Sequence, residues 1–167
     1  GRGVVRLLAP WGMTIVGVSR SGRTVDGFAR VVPAGDLLEV LPSADVVVLA
    51  APSTPETAGL IGAAELAAMR PDAWLVNVAR GALVDTNALV EALAAGSIEG
   101  AALDVTDPEP LPDGHPLWTE PRALISPHRA NHGEAADAEM HELFTRQIRR
   151  WIAGEELTGR VDPARGY

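Results

Sequence analysis

Three residues of the chain have side chains that together suit acid–base chemistry on a small anion, namely Arg80, Glu109 and His128. A carboxylate beside a histidine stabilises the imidazolium cation, so the ring can exchange a proton with a substrate oxygen near neutral pH. An arginine can hold a carboxylate or polarise a neighbouring carbonyl group. Each residue taken alone is more simply a solvated surface residue. The three become informative together because each follows a separate apolar segment.

Those segments belong to a regular alternation of strand-like and helix-like patterns. Strands are predicted over 14–19, 45–50, 74–78, 100–105 and 123–126, and helices over 3–10, 36–41, 63–69, 86–95 and 133–152. This alternation is typical of an α/β fold with a doubly wound parallel sheet of the Rossmann type. Parallel strands bring their carboxyl ends to one edge, where ligands bind. We therefore expect the arginine, the glutamate and the histidine to converge at that edge.

The predicted helix over 133–152 carries apolar residues at helical spacing. They are Ala136, Met140, Leu143, Phe144 and Ile148. A stripe of this kind marks the face of a helix that packs on other elements. We expect it to lie in the core.

Charge and composition exclude several kinds of partner and site. The formal net charge of −8 at pH 7 argues against binding to a nucleic-acid backbone. No apolar run is long enough to predict a membrane-spanning helix. The absence of cysteine excludes disulfides and thiolate chemistry, and fits a cytoplasmic protein. The other histidines, His115, His132 and His141, form no metal-ligand pattern in the predicted elements, so no metal site is predicted.

Several motifs together resemble the NAD(P)-binding domain of the D-2-hydroxyacid dehydrogenase family. They are the runs 76–85 and 100–105, the segments Glu109-Pro110-Leu111 and His115-Pro116-Leu117-Trp118, and Ser126-Pro127-His128. The resemblance covers nearly the whole chain. It implies that Arg80 binds a 2-oxo acid, that His128 donates or accepts the proton, and that Glu109 tunes the histidine.

The resemblance also implies contacts to a dinucleotide cofactor. Asp104 stands where the family holds the nicotinamide carboxamide, and the segment 51–57 resembles a loop at the edge of the cofactor. The implied cofactor-binding residues are Gly1, Arg2, Ser19, Arg20, Arg23, Ala51, Pro52, Thr57, Val78, Ala79, Arg80, Asp104 and His128.

The end of the predicted strand 14–19 bears on the choice between NAD and NADP. A NAD-binding Rossmann domain usually has an acid there, which bonds to the ribose hydroxyls and repels a 2′-phosphate. This chain has Ser19 followed by Arg20, and Arg23 adds a second positive charge. The pattern favours NADP over NAD, although NAD can also be accepted without the acid.

The amino terminus departs from the family pattern. The segment 1–13 resembles the family's first Rossmann helix, entered at the last glycine of the phosphate-binding fingerprint, with no strand before it. We therefore expect a sheet that lacks its first strand and a chain that lacks the N-terminal half of the substrate domain. We assign 1–132 to a partial dinucleotide-binding domain, and 133–167 to a helix and tail that return to the substrate domain.

The resemblance therefore implies an oxidoreductase that transfers a hydride between NAD(P)H and a small 2-oxo or 2-hydroxy acid, such as glyoxylate or hydroxypyruvate. We expect the isolated chain to be inactive. Two other hypotheses stay open: a dinucleotide-sensing binding module similar to the co-repressors that share this fold, and an inactive product of a truncated gene. The resemblance also implies a homodimer. No nucleic-acid or membrane partner is expected.

Overall fold

The computed structural model describes residues 1–130 and 133–162. Short 3₁₀ turns connect several of the regular elements. The helices and strands are α1 (Arg2–Leu8), β1 (Val16–Ser19), β2 (Arg30–Pro33), α2 (Leu37–Val40), β3 (Val46–Leu49), α3 (Ala63–Ala68), β4 (Trp74–Asn77), α4 (Thr86–Ala95), β5 (Gly100–Leu103), β6 (Ala123–Ile125) and α5 (Glu134–Ile152).

The strands form two parallel sheets rather than one. Four strands pair in the order β3-β4-β5-β6, and β1 pairs only with β2. In the larger sheet Asn77 of β4 lies opposite Leu49 of β3 and Leu103 of β5, so three strands end at the same level. Within the described residues no strand pairing joins β1 to β3. The prediction of a parallel α/β sheet of the Rossmann type is confirmed.

The core lies around the larger sheet. Parallel strands are covered on both faces, so their residues are apolar almost without interruption. Leu75 of β4 is fully buried, as are Leu83, which precedes α4, and Leu93, which lies in α4. Asp85 caps the start of α4, where its carboxylate accepts a hydrogen bond from the amide of Ala88, and Gly96, with φ 66°, caps its end. Both ends of the helix are therefore capped by the residues that flank it in the sequence.

The strand β2 is absent from the sequence-based prediction. It contains only two apolar residues, Val31 and Val32, between Arg30 and Pro33. Its place in a sheet depends on pairing with β1, in which Val16 lies opposite Arg30. Two apolar residues between an arginine and a proline give no periodic signal of their own. The predicted helices and strands are otherwise found, mostly one to three residues shorter at an end.

The predicted burial of the apolar stripe on the last helix is wrong. In the structure Met140, Leu143, Phe144 and Ile148 of α5 are all exposed, with Phe144 at 58% and Ile148 at 57%. The described residues therefore do not cover this face of the helix. None of the helices in the described ranges is both long enough and apolar enough to cross a bilayer. His132, which ends the first assigned domain, and the tail 163–167 lie outside the described residues.

Candidate active site

The loop that carries Arg80 is fixed by a buried asparagine at the end of β4. Asn77 is 1% exposed, and its side chain accepts a hydrogen bond from the amide of Ala79 (3.0 Å) and donates one to the carbonyl of Arg80 (2.9 Å). A buried amide must satisfy its polar atoms, so these bonds fix the course of the backbone. The guanidinium of Arg80 donates through Nη1 to the carbonyl of Ala79 (2.6 Å). The arginine therefore stays close to the end of its strand.

The next residue brings this loop against the loop that carries Glu109. Gly81 is buried, and a Cβ atom at this position would overlap the carbonyl group of Thr106. Thr86 at the start of α4 adds a hydrogen bond from its hydroxyl to the carbonyl of Asp107 (2.6 Å). Only glycine permits so close an approach of two backbones. The loops after β4 and β5 are therefore in direct contact.

Glu109 and His128 form a direct pair across two loops. The Oε1 atom of Glu109 lies 2.7 Å from Nδ1 of His128, and both side chains are a little less than half exposed. An ionised carboxylate can only accept, so a hydrogen bond between these atoms requires the proton on Nδ1. This leaves Nε2 as the ring nitrogen that can exchange a proton with a ligand.

The backbone of His128 has an uncommon conformation. Its φ is 52°, the single positive φ of a non-glycine residue among those described. Its amide donates to the carbonyl oxygens of Asp104 (2.9 Å) and Ser126 (3.0 Å). Positive φ values outside glycine concentrate at functional sites, where neighbouring contacts maintain them.

Asp104 is a buried carboxylate at the end of β5, 6% exposed. It accepts hydrogen bonds from the hydroxyl of Ser126 (2.5 Å) and the amides of Arg129 and Ala130 (both 2.8 Å). Burial by itself raises the pKa of Asp104, but these donors and the nearby His128 outweigh it, so the pKa lies below its ordinary value. The ionised form therefore stabilises the fold above the ordinary carboxyl range, and this contribution is lost as the pH falls through the lowered pKa.

An open cleft of about 530 Å³ lies beside Arg80. Most of its lining residues are small, which leaves room for a ligand close to the backbone. The lining residues are Gly1, Gly3, Val4, Ala50, Ala51, Pro52, Ser53, Val78, Ala79 and Arg80. Six of the residues implied to contact a cofactor therefore share one cleft, namely Gly1, Ala51, Pro52, Val78, Ala79 and Arg80.

Thr57 stabilises the loop that brings Pro52 to the cleft. Its hydroxyl accepts from the amide of Thr54 (2.8 Å) and donates to the carbonyl of Pro52 (2.8 Å).

The same loop carries Glu56. A hydrogen bond from Thr54, one from its own backbone amide and the positive charge of Arg20 lower the pKa of Glu56 below its ordinary value, against a small opposing effect of burial. The charge of Arg20 therefore acts on the loop that borders the cleft.

The remaining candidates lie elsewhere. Arg2 begins α1 and is exposed. Ser19 ends β1, and its hydroxyl accepts from the amide of Gly22 (3.2 Å). Arg23 donates through Nε to the hydroxyl of Ser21 (3.4 Å). None of the three lines the cleft; Ser19 and Arg23 lie at the end of β1 and in the loop after it.

Three residues that shape the site are missing from the sequence-based set of site residues. They are Asn77, Gly81 and Ser126. A signal was present for two of them, because a polar residue that ends an apolar buried strand must find hydrogen-bond partners. The requirement for glycine at 81 depends on the neighbouring loop, which local sequence does not specify.

Comparison with known proteins places the chain in a family. The family model of the D-isomer specific 2-hydroxyacid dehydrogenase NAD binding domain matches residues 1–130. Over 167 residues the chain is 36% identical to a glyoxylate/hydroxypyruvate reductase A of Citrobacter koseri, a match that covers 100% of the chain and 53% of that protein. The chain thus spans about half the length of the curated relatives it matches.

Two solved structures are similar over the whole chain. A D-isomer specific 2-hydroxyacid dehydrogenase from Xanthobacter autotrophicus, in complex with NADPH and MES, is 39% identical with a TM-score of 0.89 and is covered over 68% of its length. An NADPH-dependent glyoxylate/hydroxypyruvate reductase from Sinorhizobium meliloti, in complex with NADP and sulfate, is 30% identical with a TM-score of 0.89 and is covered over 54%.

Proposed function

Since the chain belongs to the D-isomer specific 2-hydroxyacid dehydrogenase family, we propose that it supplies the cofactor-binding and proton-transferring part of a reductase of small 2-oxo acids, such as glyoxylate or hydroxypyruvate. The observation that carries the proposal is the 2.7 Å contact between Glu109 and His128 at the edge of the sheet. The named activity of the Citrobacter koseri relative supports the choice of substrate class.

The chain's own residues divide the chemistry as follows. His128 donates a proton from Nε2 to the substrate oxygen during reduction and accepts one during oxidation. Glu109 holds the ring through Nδ1 and stabilises the imidazolium. Arg80 binds the substrate carboxylate and stabilises charge that develops on the neighbouring oxygen. A nicotinamide cofactor, when bound, supplies or accepts the hydride at the substrate C2.

The residues around the cleft fit such a cofactor. The small side chains that line it admit a ligand close to the backbone. Asp104 uses both acceptor positions of Oδ1 and one position of Oδ2, which leaves one acceptor position on Oδ2 for a carboxamide N–H. At the corner after β1, Ser19 and Arg20 favour NADP, because an acid that would repel a 2′-phosphate is replaced by a cation.

Several assignments about the whole protein belong to the same proposal. Residues 133–167 lead into the substrate domain, and the exposed apolar face of α5 supports a partner surface in that domain.

The protein acts in the cytoplasm as a homodimer. Light scattering at micromolar concentration tests the dimer, and a monomeric mass would contradict it.

The decisive experiment compares the chain with a fusion enzyme, in which residues 1–167 are joined to the part of the Citrobacter koseri reductase that the chain does not cover. Oxidation of NADPH and NADH is followed with glyoxylate and with hydroxypyruvate. We expect turnover by the fusion enzyme and none by the 167-residue chain, because relatives of this family are about twice as long. A fusion enzyme that binds NADPH but reduces neither acid would refute the proposed activity.

A further inference from the structure

The loop that carries His128 is bonded repeatedly to Asp104, the residue that follows β5, and also to the end of β5 through the amide of Ser126 and the carbonyl of Leu103 (2.9 Å). Asp104 receives the hydroxyl of Ser126, two residues before the histidine, and the amides of Arg129 and Ala130, directly after it. The carbonyl oxygen of Asp104 also accepts the amide of His128. One residue at the end of β5 therefore contacts the loop on both sides of the histidine and at the histidine itself.

The position held in this way is one that a non-glycine residue does not adopt readily. His128 has φ 52°, in the left-handed region. Such a conformation persists when surrounding contacts specify it. Ser126 precedes a proline, which restricts it to extended backbone, so its hydroxyl approaches Asp104 from a defined direction.

We propose that Asp104 and Ser126 form a positioning pair, which holds the backbone of His128 so that Nδ1 faces Glu109 and Nε2 faces the ligand side. This inference rests on the proposed function for its catalytic meaning. Neither residue needs to touch the substrate for this role. Ser126 is the informative member, because its hydroxyl can be removed while both backbone donors to Asp104 remain.

The positioning role makes a prediction about the tautomer of the neutral imidazole. A free imidazole carries its proton mainly on Nε2, whereas donation to Glu109 requires the proton on Nδ1. If the backbone of His128 relaxes, the Nδ1 to Oε1 contact of 2.7 Å lengthens and the Nδ1–H form loses its advantage. A purely structural role of Ser126 would change the stability of the fold without changing this tautomer ratio.

The test uses long-range ¹H–¹⁵N NMR of the 167-residue protein at a pH where the imidazole is neutral, with the His128 signal assigned from a His128→Gln sample. In Ser126→Ala we expect the Nδ1–H fraction of His128 to fall about twofold or more. In Ser126→Thr, which keeps the hydroxyl, it should stay at the wild-type value. Ser43→Ala is the matched control, since it also removes one serine hydrogen bond, to the carbonyl of Val40, at the opposite edge of the sheet.

An unchanged tautomer ratio in folded Ser126→Ala would overturn the proposal, as would a loss in Ser126→Thr equal to that in Ser126→Ala. If Ser126→Ala does not fold, amide exchange of the wild type decides. We expect the amides of Arg129 and Ala130 to exchange about tenfold or more slowly than unstructured amides of the same sequence. Exchange of these amides at the unstructured rate would overturn the proposed positioning pair.

These readouts need no turnover. A changed tautomer in Ser126→Ala together with an inactive fusion enzyme would keep the positioning pair and refute the proposed activity. An active fusion enzyme, together with an unchanged tautomer ratio in Ser126→Ala, would keep the proposed activity and refute the positioning pair.

Discussion

The two sheets of the molecule differ in how deeply their residues are packed. In the larger sheet and its helices, Leu75, Leu83 and Leu93 are fully buried. Among the described residues the core cluster contains none from β1 or β2, and Val18 of β1 is 41% exposed, although the outer strands β3 and β6 also expose Val46 (51%) and Leu124 (59%). The loops that carry Arg80, Glu109 and His128 follow strands of the larger sheet, while Ser19 ends β1 and Arg20 follows it. The proposed function therefore assigns proton transfer and cofactor choice to different parts of the molecule, and substitutions should separate them.

The largest expected effect tests the packing difference itself. Leu75→Ala leaves a cavity in the core and should lower the free energy of unfolding by about 3 kcal/mol. Val18→Ala removes a partly solvated side chain and should lower it by less than about 1 kcal/mol. Urea denaturation of the 167-residue chain measures both. Equal losses would mean that the two sheets contribute alike to stability and that the comparison of exposure is misleading.

The second prediction concerns proton transfer. In the fusion enzyme, His128→Ala should reduce turnover about a hundredfold or more, because the substrate oxygen loses its proton donor. The affinity for NADPH should change little. His115→Ala is the control, since the ring of His115 accepts from the amide of Leu117 outside the proposed site, and it should leave turnover unchanged. Undiminished turnover of His128→Ala would remove this histidine from the mechanism.

How far the sequence predicts this molecule depends on the range of the interactions involved. The strands β3 to β6 were predictable because each is a short apolar run next to a helix with its own start and stop signals, such as Asp85 and Gly96 around α4. The strand β2 was not, because its place in a sheet depends on pairing with β1. The apolar stripe on α5 was predicted to be buried and is exposed, because periodicity identifies the apolar face of a helix but not the surface that covers it.

The same reasoning applies to the site. Strand order alone was enough to bring Glu109 to His128, because parallel strands end at one edge. The sequence did not predict how the histidine is held. The contacts of Ser126 and of the amides after His128 with Asp104 join segments 22 to 26 residues apart. Such contacts follow from the tertiary structure and have no local pattern.

The third prediction concerns the corner after β1. Arg20→Ala in the fusion enzyme should weaken NADPH binding about tenfold, because a charge-assisted contact to the 2′-phosphate is lost, and should affect NADH within about twofold. The effect should be larger at low salt. Arg30→Ala removes the same charge at the opposite end of the β1–β2 sheet and serves as the control. Equal losses for both cofactors would show that Arg20 does not select between them.

The smallest expected effect is a change in pH dependence from the Glu109 carboxylate. Glu109→Gln keeps a side chain of the same size beside Nδ1 of His128 but removes the negative charge that stabilises the imidazolium. Without that charge, the pH profile of reduction by the fusion enzyme should move toward acid. Glu99→Gln makes the same charge change before β5, at the far edge of the sheet, and should leave the profile in place. If both variants shift the profile equally, net charge rather than the contact is responsible, and Glu109 has no special part in proton transfer.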